Sequence, residues 1–420
     1  MRTHPEQSDQ VNAHSAVIRH QQTENRGCRH LRICATIRWP ISVSADALAT
    51  REIANSHWRQ IMKFGLFMMP LHPPRRSYAD SYDRDIELIV QADQLGYTEA
   101  WIGEHITETW ENAPVPELLM AKALALTENI VMATGVTMLP LHHPVDTAHR
   151  IAMLDHMARG RIYWGIGFRS LPTDLQLYGI DYDTMDDVRE QGREALEVIL
   201  GLWAAEDGHF GFEGKYYQVH APEQSVELGR RLYFKPFQQP HPPIGVAAST
   251  PNTESIRMAG ERGWIPMSNL PDRFIPDLWR IVEEGAASTG KPADRSELRL
   301  GREIYVGETP ESAREEARIV LGQPFDEHQW KNRKAGGILG YLKDDPSMAD
   351  EDVDVDYMIE NVWIVGDPSE CAEKIHQTYE ETGGFGTLLN TTQDPDDHTL
   401  VQRSQRLLME QVGPKVEGLK

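Results

Sequence analysis

The feature that most constrains this chain is an alternation that begins at Met62. From there, short apolar runs bounded by turn residues occur at 63–68, 99–103, 130–138, 161–167, 243–248, 264–268, 298–306 and 387–390. Between them lie stretches with apolar residues at helical spacing. In 82–95, Ile86, Ile89, Val90 and Ala92 fall on one helical face, and Gly96 supplies the positive φ that ends a helix. Segments 145–157, closed by Gly160, and 186–203 read the same way. Eight strands, each followed by a helix, predict an α/β fold: a (β/α)8 TIM barrel with insertions, with a doubly wound parallel sheet as the alternative. Two stretches interrupt the alternation. Residues 207–235 read as a hairpin-like insertion with an aromatic strand pair around a turn. Residues 322–357 carry no periodic core and are too long for an ordinary loop, so a mobile lid over the barrel mouth and a solvated insertion both remain open.

Residues 1–61 differ in texture from the rest. They hold eight Arg, five acidic residues and no Lys, a local net of +3 in a chain of net −22, so the remaining 359 residues carry −25. They lack helix or strand periodicity and the apolar stretch of a signal peptide. The expectation is that the natural domain begins at Met62, spanning 62–420, or that 1–61 is a flexible extension. The acidic balance repels phosphate backbones and argues against a nucleic-acid partner. No apolar run is long enough for a membrane span. Three cysteines (Cys28, Cys34, Cys371) make no disulfide framework, and a reducing, cytoplasmic setting fits them.

In a barrel of this kind, chemistry gathers where strands end. The second strand delivers Glu104 and His105; His is the side chain suited to proton transfer near neutrality, and Glu104 can orient its ring. A structural pair closing the rim is the competing reading. The third strand ends in His142 and His143, which point in opposite directions if extended, so one at most aims at the mouth. With Asp146 and His149 they form a conceivable metal set, but contact of one His with a flat ligand is the preferred reading, and no metal is expected. The fourth strand ends in Gly167-Phe168-Arg169-Ser170, where Arg169 and Ser170 can hold an anion. After the fifth, Ser249, Thr250, Asn252 and Thr253 precede a helix start and suit a phosphate cradle, although a plain helix cap needs only one of them.

Residues 62–270 and 363–391 resemble the bacterial luciferase-like flavin monooxygenases, most closely the limonene-monooxygenase-like branch. The carriers are Trp-Ile-Gly-Glu-His (101–105), Thr-Gly-Val-Thr-Met-Leu-Pro-Leu-His-His-Pro (134–144), Leu-Asp-His-Met-Ala-Arg-Gly-Arg (154–161), Leu-Pro-Thr-Asp (171–174), Tyr-Gly-Ile-Asp (178–181), Val-Ala-Ala-Ser (246–249) and Gly-Gly-Phe-Gly-Thr-Leu-Leu (383–389). The resemblance implies a barrel that takes reduced FMN from a separate flavin reductase and reacts it with O2 to a C4a-(hydro)peroxyflavin. That species then oxygenates an apolar aldehyde, ketone or alkene, including terpene-like ones. It implies His105 and Glu104 as the catalytic pair, and a cofactor set of Thr134, Gly135, His143, Arg169, Ser170, Ser249, Thr250, Asn252 and Thr253. It also implies a non-prolyl cis peptide near Thr134–Gly135 and a homodimer. The chain departs from the pattern in reading Glu104-His105-Ile106 where relatives often have a second His, and Phe168-Arg169 in the strand-four loop. A deazaflavin-dependent dehydrogenase on the same barrel, a metal-dependent hydrolase and a non-catalytic flavin-binding subunit are the alternatives.

Overall fold

A computed structural model describes residues 62–69, 71–181, 185–206, 208–251 and 254–419. The expectations for 1–61 and for Asn252 and Thr253 therefore lie outside the described residues. The eight expected apolar runs form one closed parallel barrel: β1 Lys63–Met68, β2 Glu99–Ile102, β3 Val131–Met138, β4 Ile162–Gly167, β5 Ile244–Ala248, β6 Ile265–Ser268, β7 Arg299–Arg302 and β8 Thr387–Thr392, each hydrogen-bonded to its sequence neighbours, with β8 closing on β1. The doubly wound sheet is thereby excluded.

The helices pack outside, because each strand offers alternate side chains to them. Phe64, Leu66 and Met68 of β1 join Val246 and Ala248 of β5 in that outer core, while Phe67, Trp101, Met138 and Met267 belong to a separate cluster inside the barrel. Helix Tyr78–Leu95 starts ahead of its apolar stripe because the Ser77 hydroxyl accepts from Asp80 N–H (3.2 Å). It ends at Gly96, which takes φ 88°. In helix Pro144–Ala158 the left-handed cap falls on Arg159 at φ 52°, one residue before the expected Gly160.

Residues 212–219 form the expected aromatic hairpin, with strands Phe212–Glu213 and Gln218–Val219. The Glu194 carboxylate accepts the backbone N–H groups of Lys215, Tyr216 and Tyr217, which fixes the turn. The expected seventh strand is divided. Only Arg299–Arg302 stays in the barrel, and Ile304–Val306 leaves it to pair in parallel with Ile364–Gly366.

This short ladder is the neck of the large insertion, and here the reading of 322–357 is corrected. The segment is not a solvated loop without a core. Phe325, Leu339, Leu342 and Val353 are buried with Tyr305 and Trp363 in an apolar cluster of their own. Two π-helical turns, Arg318–Gly322 and Phe325–Gln329, lie in the run that leads into it. Each changes the helical period, which hides the apolar face from a search at 3.6 residues per turn. Among the described residues, no helix is long and apolar enough to cross a membrane.

Candidate active site

The barrel is plugged at its lower end and open at the upper one. At the bottom, Arg299 donates to both oxygens of Glu99 (3.2 and 3.3 Å), and Trp101 Nε1 donates to Glu99 as well (3.0 Å). Gly165 and Gly245 make room for that indole: a Cβ at Gly245 would stand 2.6 Å from the Trp101 ring. Above Trp101 the interior opens. Ala247 points inward between the two outward residues Val246 and Ala248, yet it is exposed, so solvent reaches the strand tops. Phe67 and Met138, both only half-buried, line this floor beside Gly167. The peptide Gly135–Val136 is cis, one bond beyond the expected place.

At the tip of β2, His105 lies between two carboxylates. Its Nδ1 is 3.3 Å from Asp174 Oδ2 and its Nε2 is 3.1 Å from Glu111 Oε2. Burial opposes a charge on this ring. The hydrogen bond to Asp174 and the fields of Glu111, Asp174 and Glu108 outweigh it, so the pKa is raised above the ordinary 6.5. With a carboxylate at each ring nitrogen, His105 holds its proton more tightly than an ordinary imidazole and, when protonated, is placed to donate from both nitrogens. Asp174, fully buried at the start of helix Pro172–Leu177, also accepts from Thr107 N (2.8 Å), Thr107 Oγ1 (2.6 Å) and Ser170 Oγ (2.9 Å). Burial would raise its carboxyl, but His105, Thr107 and Ser170 hold it well below the usual range.

Glu104 does not orient His105, which corrects that expectation. Successive residues leave an extended strand in opposite directions. Glu104 instead turns to the end of β3, where Oε1 meets His142 Nε2 at 2.5 Å and Oε2 accepts Met138 N–H at 3.1 Å. Arg150, a donor only, stands 3.4 Å from His142 Nδ1. His142 therefore donates from Nε2 to Glu104 and accepts from Arg150 at Nδ1. Of the two adjacent histidines, His142 is the inward one. His143 is exposed and caps helix Pro144–Ala158 by accepting from Val145 N–H (3.3 Å). His149 turns its Nδ1 to the Val145 carbonyl, and among the described residues no three His, Cys, Asp or Glu side chains converge as a metal requires.

The expected cofactor residues divide. Thr134 is buried with its hydroxyl donating to the Gly165 carbonyl (2.8 Å), Ser170 is bound to Asp174, and Gly135 packs on Trp101. These, with His143, have structural duties that sequence alone does not reveal. Arg169 and Ser249 are exposed and Thr250 is half-buried. Among the described residues none of the three has a hydrogen-bond or ion-pair partner. The β4–β5 register pairs Ile166 with Val246, so the loops carrying Arg169 and Ser249 emerge side by side. Beyond them, Arg193 reaches Glu254 in the first turn of helix Glu254–Arg262. A cation and two free hydroxyls at one rim suit an anionic group, and the open apolar floor suits a flat ring.

Sequence reasoning missed Asp174, Glu111, Arg193 and His328. Asp174 stood in the Leu-Pro-Thr-Asp string, and an acidic residue in the first turn of a helix beside a strand tip was its available signal. For Glu111 and His328 no local signal exists.

Comparison with known proteins accords with this geometry. Residues 62–385 match the luciferase-like monooxygenase family. The chain is 31% identical over 379 residues to 3,6-diketocamphane 1,6-monooxygenase of Pseudomonas putida, covering 84% of this chain and 98% of that protein. It is 29% identical to limonene 1,2-monooxygenase of Rhodococcus erythropolis over 84% of this chain and 87% of that one. Among solved structures, the oxygenating constituent of the P. putida 3,6-diketocamphane monooxygenase, a type II Baeyer-Villiger monooxygenase in complex with FMN, superposes with a TM-score of 0.79 at 31% identity. That match covers 85% of this chain and 99% of the other.

Proposed function

The chain belongs to the luciferase-like monooxygenase family, and on that footing we propose that it is an FMN-dependent oxygenase that inserts one atom of O2 into an apolar ketone, aldehyde or alkene. The observation that carries this reading is the His105 ring held between Asp174 and Glu111 at the rim of an open apolar barrel mouth. Reduced FMN, when bound, supplies the electrons that activate O2. Arg169, Ser249 and Thr250 hold its phosphate, together with Asn252 and Thr253, and Arg193 adds a second cation at that end. The apolar floor of Phe67, Met138 and Ala247 orients the ring and excludes bulk water, which would otherwise intercept the activated oxygen. His105 holds a proton at its Nε2, shared with Glu111, available to oxygen as charge develops there. The Glu104–His142 pair keeps the end of β3 in place through the Met138 N–H.

A separate flavin reductase delivers the reduced flavin. Two copies of the chain pair through an apolar stripe: Leu118 is exposed on helix Pro116–Leu124, and Met153 and Met157 lie one turn apart on helix Pro144–Ala158. The protein works in the cytoplasm, and the domain from Met62 to Lys420 carries the activity. The deazaflavin dehydrogenase reading is less well supported, since the relatives near 30% identity are named monooxygenases. The test is turnover with NADH, FMN and a flavin reductase, offering bicyclic ketones and cyclic alkenes. Oxygen uptake with a product heavier by one oxygen atom is expected. Hydride transfer from a reduced deazaflavin without O2 uptake would overturn the reading.

A further inference from the structure

We propose that His328, carried by the insertion, is a positioning residue of the active site that acts on His105 through their shared partner Glu111. This deepens the oxygenase reading and, for its effect on turnover, rests on it. The Glu111 carboxylate is bidentate between the two histidines: Oε2 lies 3.1 Å from His105 Nε2, and Oε1 lies 3.4 Å from His328 Nε2. His328 comes from the π-helical turn Phe325–Gln329, more than two hundred residues from Glu111 in sequence, and is 7% exposed. Its ring stacks on Trp110, with centroids 5.7 Å apart and planes inclined by 19°.

The ionisable groups facing this cluster are Glu108, Glu111 and Asp174 from the rim and His328 from the insertion. His328 Nε2 faces Glu111 and, at 3.7 Å, Glu108, so that nitrogen carries the proton. The Asn332 amide lies 3.4 Å from Nδ1 and 3.2 Å from Nε2, and it donates to Nδ1, the ring nitrogen left as acceptor. A donor in this place fixes the direction of the Glu111 carboxylate, whose other oxygen faces His105. Glu111 is the more exposed partner, and without His328 it can rotate toward water and release His105 Nε2. The insertion is thereby a wall of the active site rather than an appendage of it.

The test compares the full-length protein with His328→Ala, His328→Gln and Glu111→Gln. NMR titration of the His105 ring in flavin-free protein is the first readout, independent of any oxygenase activity. His328→Ala and Glu111→Gln are expected to lower the His105 midpoint by about one unit, a tenfold change in protonation. His328→Gln, whose amide can donate in the same place, restores most of it. In turnover, His328→Ala loses oxygenated product to hydrogen peroxide by about tenfold, the scale of coupling between polar neighbours. An unmoved His105 midpoint in a folded His328→Ala overturns the proposal whatever happens to melting temperature, and an unmoved midpoint in Glu111→Gln overturns the route through Glu111. If His328→Ala does not fold, His328→Phe, which keeps the ring on Trp110 but cannot donate to Glu111, takes its place with the same two outcomes. If the midpoint moves but the wild type oxygenates nothing, the positioning role stands and the oxygenase reading falls.

Discussion

The two ends of this barrel handle buried charge in opposite ways. At the bottom, the buried Arg299 answers the one buried carboxylate beside it, Glu99, with Trp101 completing the Glu99 shell, while Glu297 reaches Arg299 from the exposed side, so the buried charges are matched one to one. At the mouth, His105 faces Asp174, Glu111 and the field of Glu108, and His328 shares the last two, so three carboxylates surround two groups that can lose a proton. Matched charge in a dry interior holds a structure and does nothing else. Unmatched charge beside an open apolar floor keeps a proton available where a ligand can reach it. The same barrel therefore has a structural end and a chemical end, and the difference lies in the ratio of cations to carboxylates rather than in burial alone.

The strongest way to break the comparison is to remove the ring that stands between Asp174 and Glu111. His105→Ala is expected to cost about a hundred- to ten-thousandfold in coupled oxygenation. Flavin is retained and O2 is released as hydrogen peroxide, measured by product yield against peroxide. Stability should change little, since Asp174 keeps its Thr107 and Ser170 donors. The converse is Arg299→Met at the bottom. It leaves Glu99 buried without its cation and should lower stability by about 3–5 kcal/mol in denaturant titration. Product yield per folded molecule should stay the same, and an altered product-to-peroxide ratio would erase the distinction between the ends.

A smaller effect is expected at the rim. Replacing Ser249 and Thr250 together with Ala should weaken FMN about ten- to a thousandfold, from hydrogen bonds to a charged group worth ~1.5–3 kcal/mol each. Riboflavin, which lacks the phosphate, should be affected far less, and equal weakening of both flavins would move the phosphate elsewhere. The smallest effect is on pH dependence. A raised pKa means that the charged His105 contributes stability fully below its unfolded value near 6.5, and that this contribution is lost as pH rises through the folded value. Asp174 runs the other way, since its lowered pKa contributes stability above the usual carboxylate range and loses it only in strong acid. Melting temperatures across pH 5 to 9 should therefore decline gently on the alkaline side, and His105→Ala should flatten that slope.

How much of this is legible in the sequence depends on whether the signal is local. The barrel is legible because each strand carries its own apolar run and each helix its own stripe, and His105 is legible because strand tips are where such barrels place chemistry. Its partners are not. Asp174 reaches it from another loop, signalled only by its place in the first turn of a helix, and Glu111 from the far side of a turn, where nothing in the neighbourhood announces the meeting. Glu104 is a different kind of miss. The alternation that separates His142 from His143 applies equally to Glu104 and His105, and adjacency in sequence conceals it. The insertion is missed because its π-helical turns break the helical period, and because Gly322 and Pro324 read as loop residues.

The central claim is that the carboxylates at the mouth make His105 hold its proton more tightly than an ordinary imidazole does. The direct measurement is an NMR titration of the His105 ring in the flavin-free protein, assigned by comparison with His105→Ala. The account predicts a midpoint above the ordinary 6.5, with both ring nitrogens protonated below it. A ring that is already neutral at pH 6.5, with one nitrogen bare, would contradict it.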